Sequence, residues 1–411
     1  MASPEYPKIR SVNVFPAEIS GRQMICLRDP LSYSDQTLLV TESTFFIISL
    51  FDGKHSLLDI QVEYMRRYGD LLFRENIAEI VKQLDDYLLL EGERFLLYKG
   101  EVEKRFADSP VREPMLAGKS YEFESAKLRD QLASYFVAPE GPGEIGDGEV
   151  TQKPLMGAII PHIDYARGGS CYAWAYKEIG ESSRADTFVI LGTLHTEAQI
   201  PFILTRKGFS TPLGDLDTDW EFVSALEKGC SFDPFAEEIV HRAEHSLELQ
   251  MVFLRYVFGN SRPIRVVPIL CSSFHEFVDN ELSPMQDSRI SSFLHSLKRA
   301  IDLRAEGTCV LASADLAHMG PRFGDRSPLG EPDWRWIAQE DGRMIEQIGK
   351  IDGEAFFEEI RRDRNRRRIC GVSAIYALLT TVGASKGRLL KYGQCPDPQG
   401  TVTYASIGFY R

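Results

Sequence analysis

The sequence predicts an α/β domain over residues 106–411, preceded by a small helical winged module in residues 1–105. Two observations support this prediction. Short continuous apolar runs alternate with amphipathic segments only in the second region, and such runs are typical of strands buried on both faces of a sheet. In addition, 411 residues exceed the size at which one hydrophobic core usually stops growing. We therefore expect two domains, with a boundary near Asp108.

Helical periodicity dominates the first hundred residues. From residue 74 to 90, apolar residues recur at spacings of three and four, which places them on one helix face. An earlier helix is predicted to begin near Ser56, because Ser56 and Asp59 form a capping-box pattern. The short apolar run 95–98 is predicted to be extended and to form a wing. Three helices and a wing would make a small independent module.

This module has a family resemblance of its own. Residues 51–60, followed by a helix that ends at residues 88–91, resemble PqqD-like winged-helix domains. Domains of that kind bind peptides and partner proteins, so the resemblance implies a peptide or protein partner for residues 1–105. The alternative is a winged helix with a purely structural or DNA-binding role.

The remaining chain alternates loops with predicted strands. Residues 101–118 are polar and contain prolines, and residues 139–148 are rich in proline, glycine and glutamate, which suits a linker and a surface loop. The apolar runs predicted to be buried strands are residues 157–160, 188–191, 266–270 and 309–312.

Polar residues suited to chemistry follow three of these strands. His162 comes after the first run, His195 just past the second, and Asp315 and His318 after the last. Functional groups in open α/β sheets collect outside the carboxyl ends of the strands, so the three segments are expected to meet. One such histidine alone would more often be structural. Together they predict a metal site, because neutral imidazole commonly binds iron, copper and zinc in proteins.

Six ordered motifs match the Memo family, whose fold is related to class III extradiol dioxygenases. A further segment, AGKSY at 117–121, resembles the Memo opening motif, so the likeness covers about residues 110–411 and implies an α/β domain with a mixed sheet. The six motifs are IIPH at 159–162, GSCYAWAY at 169–176, ILGTLH at 190–195, EHSLE at 244–248, SADLAH at 313–318 and ICG at 369–371.

The resemblance also implies a ligand set. His162, His195 and Cys370 would bind one mononuclear transition metal, iron or copper with zinc as a further option, in a dioxygenase-like oxidoreductase. Asp315 and His318 would line the same cleft. We expect His318 to act as general acid or base because its pKa should lie near working pH, while Asp315 fixes its tautomer or accepts a substrate hydrogen bond.

Three departures from the related patterns affect this expectation. Extradiol dioxygenases hold iron with two histidines and a glutamate, and Cys370 stands where we expect that glutamate, which makes ring cleavage of a catechol a weaker prediction. Thr196 replaces a histidine of many Memo proteins. Ile163 and Asp164 stand where Ala-Gly is common, and Asp164 either orients His162 or is a simple loop carboxylate.

A rival motif overlaps the Memo pattern. His241, Glu244 and His245 spell H-x-x-E-H, the inverted zinc-peptidase motif, in which both histidines bind zinc and the glutamate is the general base. Because Glu244-His245-Ser246 matches a Memo triplet, we interpret His241 as incidental. Glu244 and His245 are then expected behind the ligands, where they could support them.

Two further questions stay open in the sequence. The cleft could bind a ligand without metal, which would make the protein an adaptor that recognises a peptide or partner. Six arginines between residues 361 and 368 are either a solvated helix end or a site for an anionic substrate or partner. Memo proteins of bacteria are linked with a radical SAM protein and an Amme-type protein in the AmmeMemoRadiSam system, and this chain resembles the Memo component, protein B.

Composition limits the other classes. The net charge of −13 argues against strong nucleic-acid binding, which depends on neutralising phosphates with basic side chains. No apolar run reaches the roughly 18 residues of a membrane span, and the N-terminus does not resemble a secretory signal, so we expect a cytoplasmic protein. The seven cysteines form no recognisable disulfide framework.

Overall fold

The computed structural model describes residues 4–19, 21–146, 154–259, 262–304 and 307–411. The chain divides into two compact units, Met1–Asp108 and Ser109–Arg411, called here the N-terminal and C-terminal units. All seven cysteines are free thiols. Within the described ranges, no helix combines the length and the apolar character needed to cross a bilayer.

The N-terminal unit begins with an antiparallel sheet in the order β1-β2-β3 and continues with four helices. Its apolar core contains Leu27, Phe51 and Ile60, all fully buried. The capping box predicted at Ser56 is present, since its hydroxyl accepts from the Asp59 N–H and the Asp59 carboxylate accepts from the Ser56 N–H. The elements are β1 (Asn13–Ile19), β2 (Arg22–Arg28), β3 (Thr37–Val40), α1 (Glu42–Ser49), α2 (Leu57–Tyr68), α3 (Arg74–Asp86) and α4 (Glu93–Asp108).

The predicted wing is wrong, because residues 95–98 belong to helix α4. Phe95 is buried on the same helix face as Val102 and Phe106, whereas Leu96 and Leu97 between them are exposed. A run of four apolar residues has no period of its own, so burial against the rest of the unit decides its structure. The same helix extends through the first part of the predicted linker to Asp108.

The C-terminal unit is built on a mixed sheet, which confirms the predicted α/β class. The strand order is β12-β14-β5-β11-β6-β10-β7, with β13 paired to β14 and β9 to β10. Strands β5, β11, β6 and β10 are parallel neighbours. Strand β14 pairs antiparallel with β5, β12 antiparallel with β14, and β7 antiparallel with β10. The strands are β4 (Val111–Arg112), β5 (Leu155–Ile160), β6 (Thr187–Thr193), β7 (Phe202–Leu204), β8 (Gly208–Phe209), β9 (Asp217–Thr218), β10 (Arg265–Cys271), β11 (Thr308–Ser313), β12 (Asp315–Met319), β13 (Lys386–Cys395) and β14 (Thr401–Tyr410).

Helices cover both faces of this sheet. In β5, Ile159 faces one apolar core and Ile160 the other, which explains why the whole strand is buried and reads as a continuous apolar run. The predicted loop at 139–148 contains neither helix nor strand up to residue 146, and its last two residues lie outside the described ranges. The helices are α5 (Ser125–Val137), α6 (Tyr165–Ser182), α7 (Trp220–Gly229), α8 (His245–Phe258), α9 (His275–Asp279), α10 (Ser288–Leu303), α11 (Glu331–Gly349), α12 (Gly353–Arg362) and α13 (Val372–Thr381).

Candidate metal centre

The sheet register brings the predicted site residues to one edge. Ser313 at the end of β11 lies opposite Ile160 of β5 on one side and Gly192 of β6 on the other. The chain therefore delivers His162, His195 and Asp315 at the same level, directly after three adjacent parallel strands. The start of α8 is held there too, because the Ser246 hydroxyl donates to the Thr193 carbonyl over 2.8 Å.

Three histidine rings pack against one another at this edge. The ring centroid of His162 lies 4.9 Å from that of His195 and 5.5 Å from that of His245. The rings of His195 and His245 stack with their centroids 4.6 Å apart. His162 is buried, and its Nδ1 lies 3.0 Å from the Ser313 carbonyl oxygen. That carbonyl can only accept, so Nδ1 carries the proton and Nε2 keeps its lone pair.

Glu244 orients the rings of His195 and His245, as the Ser313 carbonyl orients that of His162. Its Oε1 lies 3.1 Å from Nδ1 of His195 and 3.1 Å from Nδ1 of His245. The buried carboxylate also accepts from the backbone N–H groups of His195 and Ser246, at 2.9 Å each. An ionised carboxylate accepts hydrogen bonds only, so both rings donate from Nδ1, and Nε2 is the atom of each ring that can bind a metal once it carries no proton.

Cys370 completes the cluster. Its Sγ lies 3.3 Å from Nε2 of His162, and its thiol also hydrogen-bonds the His195 ring. The loop before Cys370 is held by Asn365, whose side-chain oxygen accepts from the Ile369 N–H at 2.8 Å. Arg367, fully buried in the same loop, pairs with the buried carboxylate of Asp341.

The electrostatics of the cluster are strongly coupled. Burial lowers the pKa of His162 well below its ordinary value, and the neighbouring His195 and His245 lower it further. Burial alone would lower the pKa of His195, but the charge of Glu244 raises it well above its usual range. Burial opposes the ionised form of Glu244, yet the two histidines hold its pKa well below its usual range. Burial raises the pKa of the Cys370 thiol.

The donor set fits a metal ion. One ring nitrogen from each of His162, His195 and His245 lies within 4.8 Å of the others. Every Nδ1 has a built-in acceptor, which is the usual arrangement behind metal-binding histidines. The three histidines could therefore hold a metal, with the sulfur of Cys370 adjacent to them.

The structure modifies the expected roles of Asp315 and His318. The tautomer of His318 is set by the Leu316 carbonyl, 3.1 Å from its Nδ1, and not by Asp315. Burial lowers the pKa of His318 to about 4, so the ring is neutral at working pH rather than titrating there. Asp315 instead accepts from the backbone N–H of His162 at 2.9 Å, and burial raises the pKa of its carboxyl to about 7.

Asp164 does not orient His162. It is the N-cap of α6, where its carboxylate accepts from the Arg167 N–H at 3.1 Å and from the Arg167 guanidinium. The interpretation as a local loop carboxylate is therefore the better one, and the Ser313 carbonyl takes the orienting role.

The peptidase motif does not assemble. His241 lies on a short 3-10 turn, Glu238–Arg242, and its Nε2–H donates to the Ile203 carbonyl over 3.0 Å. Ala243 ends that turn and Glu244 is the N-cap of α8, so the two histidines do not share one helix face. Burial lowers the pKa of His241 to about 3. His245, not His241, joins the candidate metal cluster.

The arginine-rich segment is mostly neutralised within the chain, which favours the structural interpretation. Arg361 and Arg362 end α12, and Arg364, Asn365 and Arg368 have positive φ angles, so the rest of the segment folds as a tight irregular turn. The pairs are Arg361 with Glu358, Arg362 with Glu340 and Glu359, Arg367 with Asp341 and Asp363, and Arg368 with Asp325, while Arg366 lies over the Trp336 ring.

Comparison with known proteins agrees with this geometry. The model of the family described as "Memo-like protein" matches residues 112–408. The chain belongs to the Memo family. A MEMO1 family protein of Aquifex aeolicus is 28% identical over 410 residues, which cover 98% of this chain and 100% of that protein. MEMO1 family proteins of Methanopyrus kandleri and Caldivirga maquilingensis are each 31% identical and cover 73% of this chain and 99% of themselves.

These relatives differ in how much of the chain they match. The Aquifex protein matches across both units, so the N-terminal unit accompanies the Memo domain in at least that relative. The other two match over about the length of the C-terminal unit.

The role predicted for His245 from the sequence differs from its position in the structure. His245 was expected behind the ligands, and the structure places it beside His162 and His195 instead. The available signal was its position directly after Glu244, the N-cap of α8, whose carboxylate contacts both the His195 and the His245 rings. Nothing in the spacing alone distinguishes a side chain that faces the metal from one that faces away.

Proposed function

We propose that this Memo protein binds one mononuclear transition metal through His162, His195 and His245, with the Cys370 thiolate as a further ligand or as a redox-active thiol beside the metal. The single observation that carries the proposal is the tautomer of the three rings. Each Nδ1 is engaged by a buried acceptor, namely the Ser313 carbonyl or the Glu244 carboxylate. With every Nδ1 committed in this way, Nε2 is the nitrogen that each ring offers to a metal, which would displace any proton bound there.

The donors favour iron or copper, with zinc as the third option. Imidazole suits all three metals, while thiolate sulfur favours softer ions than a carboxylate would and makes a dioxygenase identical to the extradiol type a poorer fit. When bound, iron or copper would supply redox chemistry at a site reached by a small substrate, whereas zinc would act only as a Lewis acid. A cavity of about 320 Å³ adjoins Cys370 and is lined also by Phe274, Val278 and Arg368.

Two side chains beside the metal ligands would handle protons. His318 is neutral at working pH, and because its Nδ1–H is committed to the Leu316 carbonyl, its Nε2 is the atom that would accept a proton. Asp315, with its pKa raised to about 7 by burial, would act as a proton donor or as a hydrogen-bond partner. We propose these roles within a metal-dependent, dioxygenase-like oxidoreductase.

The partners proposed for this chain follow from its family and its N-terminal unit. We propose that it acts with a radical SAM protein and an Amme-type protein as the Memo component of an AmmeMemoRadiSam system. The N-terminal unit would bind a peptide or partner protein and deliver it to the Memo domain. The support for this step is the PqqD-like pattern of residues 51–60, which carries the α2 capping box.

Metal analysis of anaerobically purified full-length protein tests the proposal. We expect one iron or copper per chain, lost in His162→Ala and retained in His275→Ala, since His275 is exposed, pairs with Asp279 and is not one of the three clustered histidines. Protein that stays metal-free under these conditions would favour the alternative, in which the cleft binds a peptide or partner as an adaptor.

A further inference from the structure

Arg112 lies on the short strand β4, outside the metal cluster, and is among the largest fully buried side chains of the described chain. Its Nε donates to the His241 carbonyl over 3.1 Å and its Nη2 to the Glu244 carbonyl over 2.9 Å. The planar guanidinium thus binds the backbone at both ends of segment 241–244, which leads into α8. Glu244 is the residue at the end of that segment.

A second buried side chain holds the guanidinium in place. Glu248, one turn into α8, forms an ion pair with Arg112, and both side chains are 1% exposed. The same carboxylate accepts from the Tyr121 hydroxyl at 2.5 Å and from the N–H groups of Met115 and Leu116, at 3.0 and 2.9 Å. Burial raises the pKa of Tyr121, and so does Glu248, so that the phenol stays a donor.

These contacts join two of the Memo motifs. Tyr121 belongs to the opening motif AGKSY, Glu248 closes the motif EHSLE, and Glu244 opens the latter. The chain of contacts runs from Tyr121 and Arg112 through Glu248 and the Glu244 carbonyl to the Glu244 carboxylate. That carboxylate reaches Nδ1 of His195 and His245 at 3.1 Å.

We propose that Arg112 is a positioning residue of the metal centre, which fixes the backbone of Glu244 so that one carboxylate serves two histidines. The proposal rests on the metal site proposed above. A buried ion pair that served only stability could be replaced by apolar residues at little cost. Arg112 instead donates hydrogen bonds to the carbonyls of His241 and Glu244, and apolar side chains cannot form these bonds.

The test compares Arg112→Lys with Arg10→Lys in the full-length protein. Arg10 is a matched control, because it also forms a buried ion pair, with Asp29, and donates to a backbone carbonyl, that of Leu88, but it lies in the N-terminal unit. Lysine keeps the charge and removes the planar fork. Tyr121→Phe, which removes one hydroxyl, gives the same readouts should Arg112→Lys not fold.

Two measurements separate positioning from stability. Cobalt(II) titration with its visible absorption spectrum should show binding weakened about tenfold or more in Arg112→Lys with an altered spectrum, a smaller loss in Tyr121→Phe, and no change in Arg10→Lys. In metal-free protein labelled with ¹⁵N-histidine, the Nδ1 and Nε2 shifts of His195 and His245 should change in Arg112→Lys and not in Arg10→Lys.

Unchanged affinity, spectrum and imidazole shifts in folded Arg112→Lys would overturn the positioning role while leaving the metal site intact. Failure of the wild-type protein to bind cobalt(II) would instead count against the metal site. In that case the imidazole shifts of the metal-free protein still decide whether Arg112 sets the two rings through Glu244.

Discussion

Sγ of Cys370 lies 3.3 Å from Nε2 of His162, although 208 residues separate them in the chain. This contact distinguishes Cys370 from the other cysteines near the sheet. Cys309 starts the buried run of β11, and burial raises the pKa of its thiol to about 12, as expected for a small apolar residue.

Cys370→Ser should therefore weaken metal binding by roughly tenfold or more, or abolish the redox activity, while Cys309→Ser should leave both unchanged. Metal stoichiometry and affinity of protein kept anaerobic measure the difference. Equal effects of the two substitutions would mean that sulfur at position 370 takes no part in the site.

His245 and His318 should separate binding from proton transfer. His245→Ala removes a ring that the structure places in the cluster, so metal affinity should fall by about tenfold to a hundredfold. His318→Ala should leave the affinity within about threefold, since His318 is outside that cluster, and should reduce turnover once a substrate is known. If a metal titration showed a large loss of affinity in His318→Ala and little in His245→Ala, His245 would only support the ligands and would not be one of them.

Metal affinity should rise with pH across the neutral range. Glu244 raises the pKa of His195, so in the folded apoprotein the His195 ring stays protonated to a higher pH than an ordinary histidine does. Burial also raises the pKa of the Cys370 thiol. A metal must displace these protons, and the competition weakens as pH increases. Titrations at several values between about pH 6 and pH 9 measure this dependence. An affinity that is flat over this interval would contradict the ligand set.

The Asp341–Arg367 pair should support the loop that carries Cys370. Both side chains are almost fully buried, and the Asp341 carboxylate also accepts from Tyr392 and Thr403. Asp341→Ala leaves the buried Arg367 guanidinium with Asp363 as its remaining ion-pair partner and should lower the free energy of unfolding by about 3 kcal/mol. Urea unfolding measures it against Glu358→Ala, whose exposed pair with Arg361 should be worth about 1 kcal/mol or less. Similar losses in the two variants would show that the Arg367 pair is not structural.

A fragment of residues 1–108 should fold by itself. This unit has its own buried cluster and a buried Arg10–Asp29 ion pair at 3.1 Å. The fragment should be monomeric and helical by circular dichroism with a cooperative thermal transition, and Asp29→Ala should abolish or strongly lower that transition. An aggregated or unfolded wild-type fragment would show that the unit depends on the Memo domain.

Local signals in the sequence were sufficient where they repeated over several residues. The capping pattern of Ser56 and Asp59 fixed the start of α2, and the periodicity from residue 74 fixed the start of α3. The wing at 95–98 failed, because four apolar residues fit a strand and a helix equally well and only the burial of Phe95 chose between them. The strands β1–β3 were missed, because much of their surface is exposed and the apolar runs of β2 and β3, residues 24–27 and 38–40, are short.

The sequence by itself determined the family, the mixed α/β class and the strand ends that carry His162, His195 and Asp315, because buried parallel strands leave continuous apolar runs followed directly by their functional residues. The tertiary structure alone decided which side chains meet there. The direction of the His245 ring, the Leu316 bond of His318 and the helix-capping role of Asp164 depend on hydrogen-bond partners supplied by neighbouring segments or by the local turn. A hydrogen-bond partner that comes from a distant strand or helix leaves no trace in the spacing of the residues it orients.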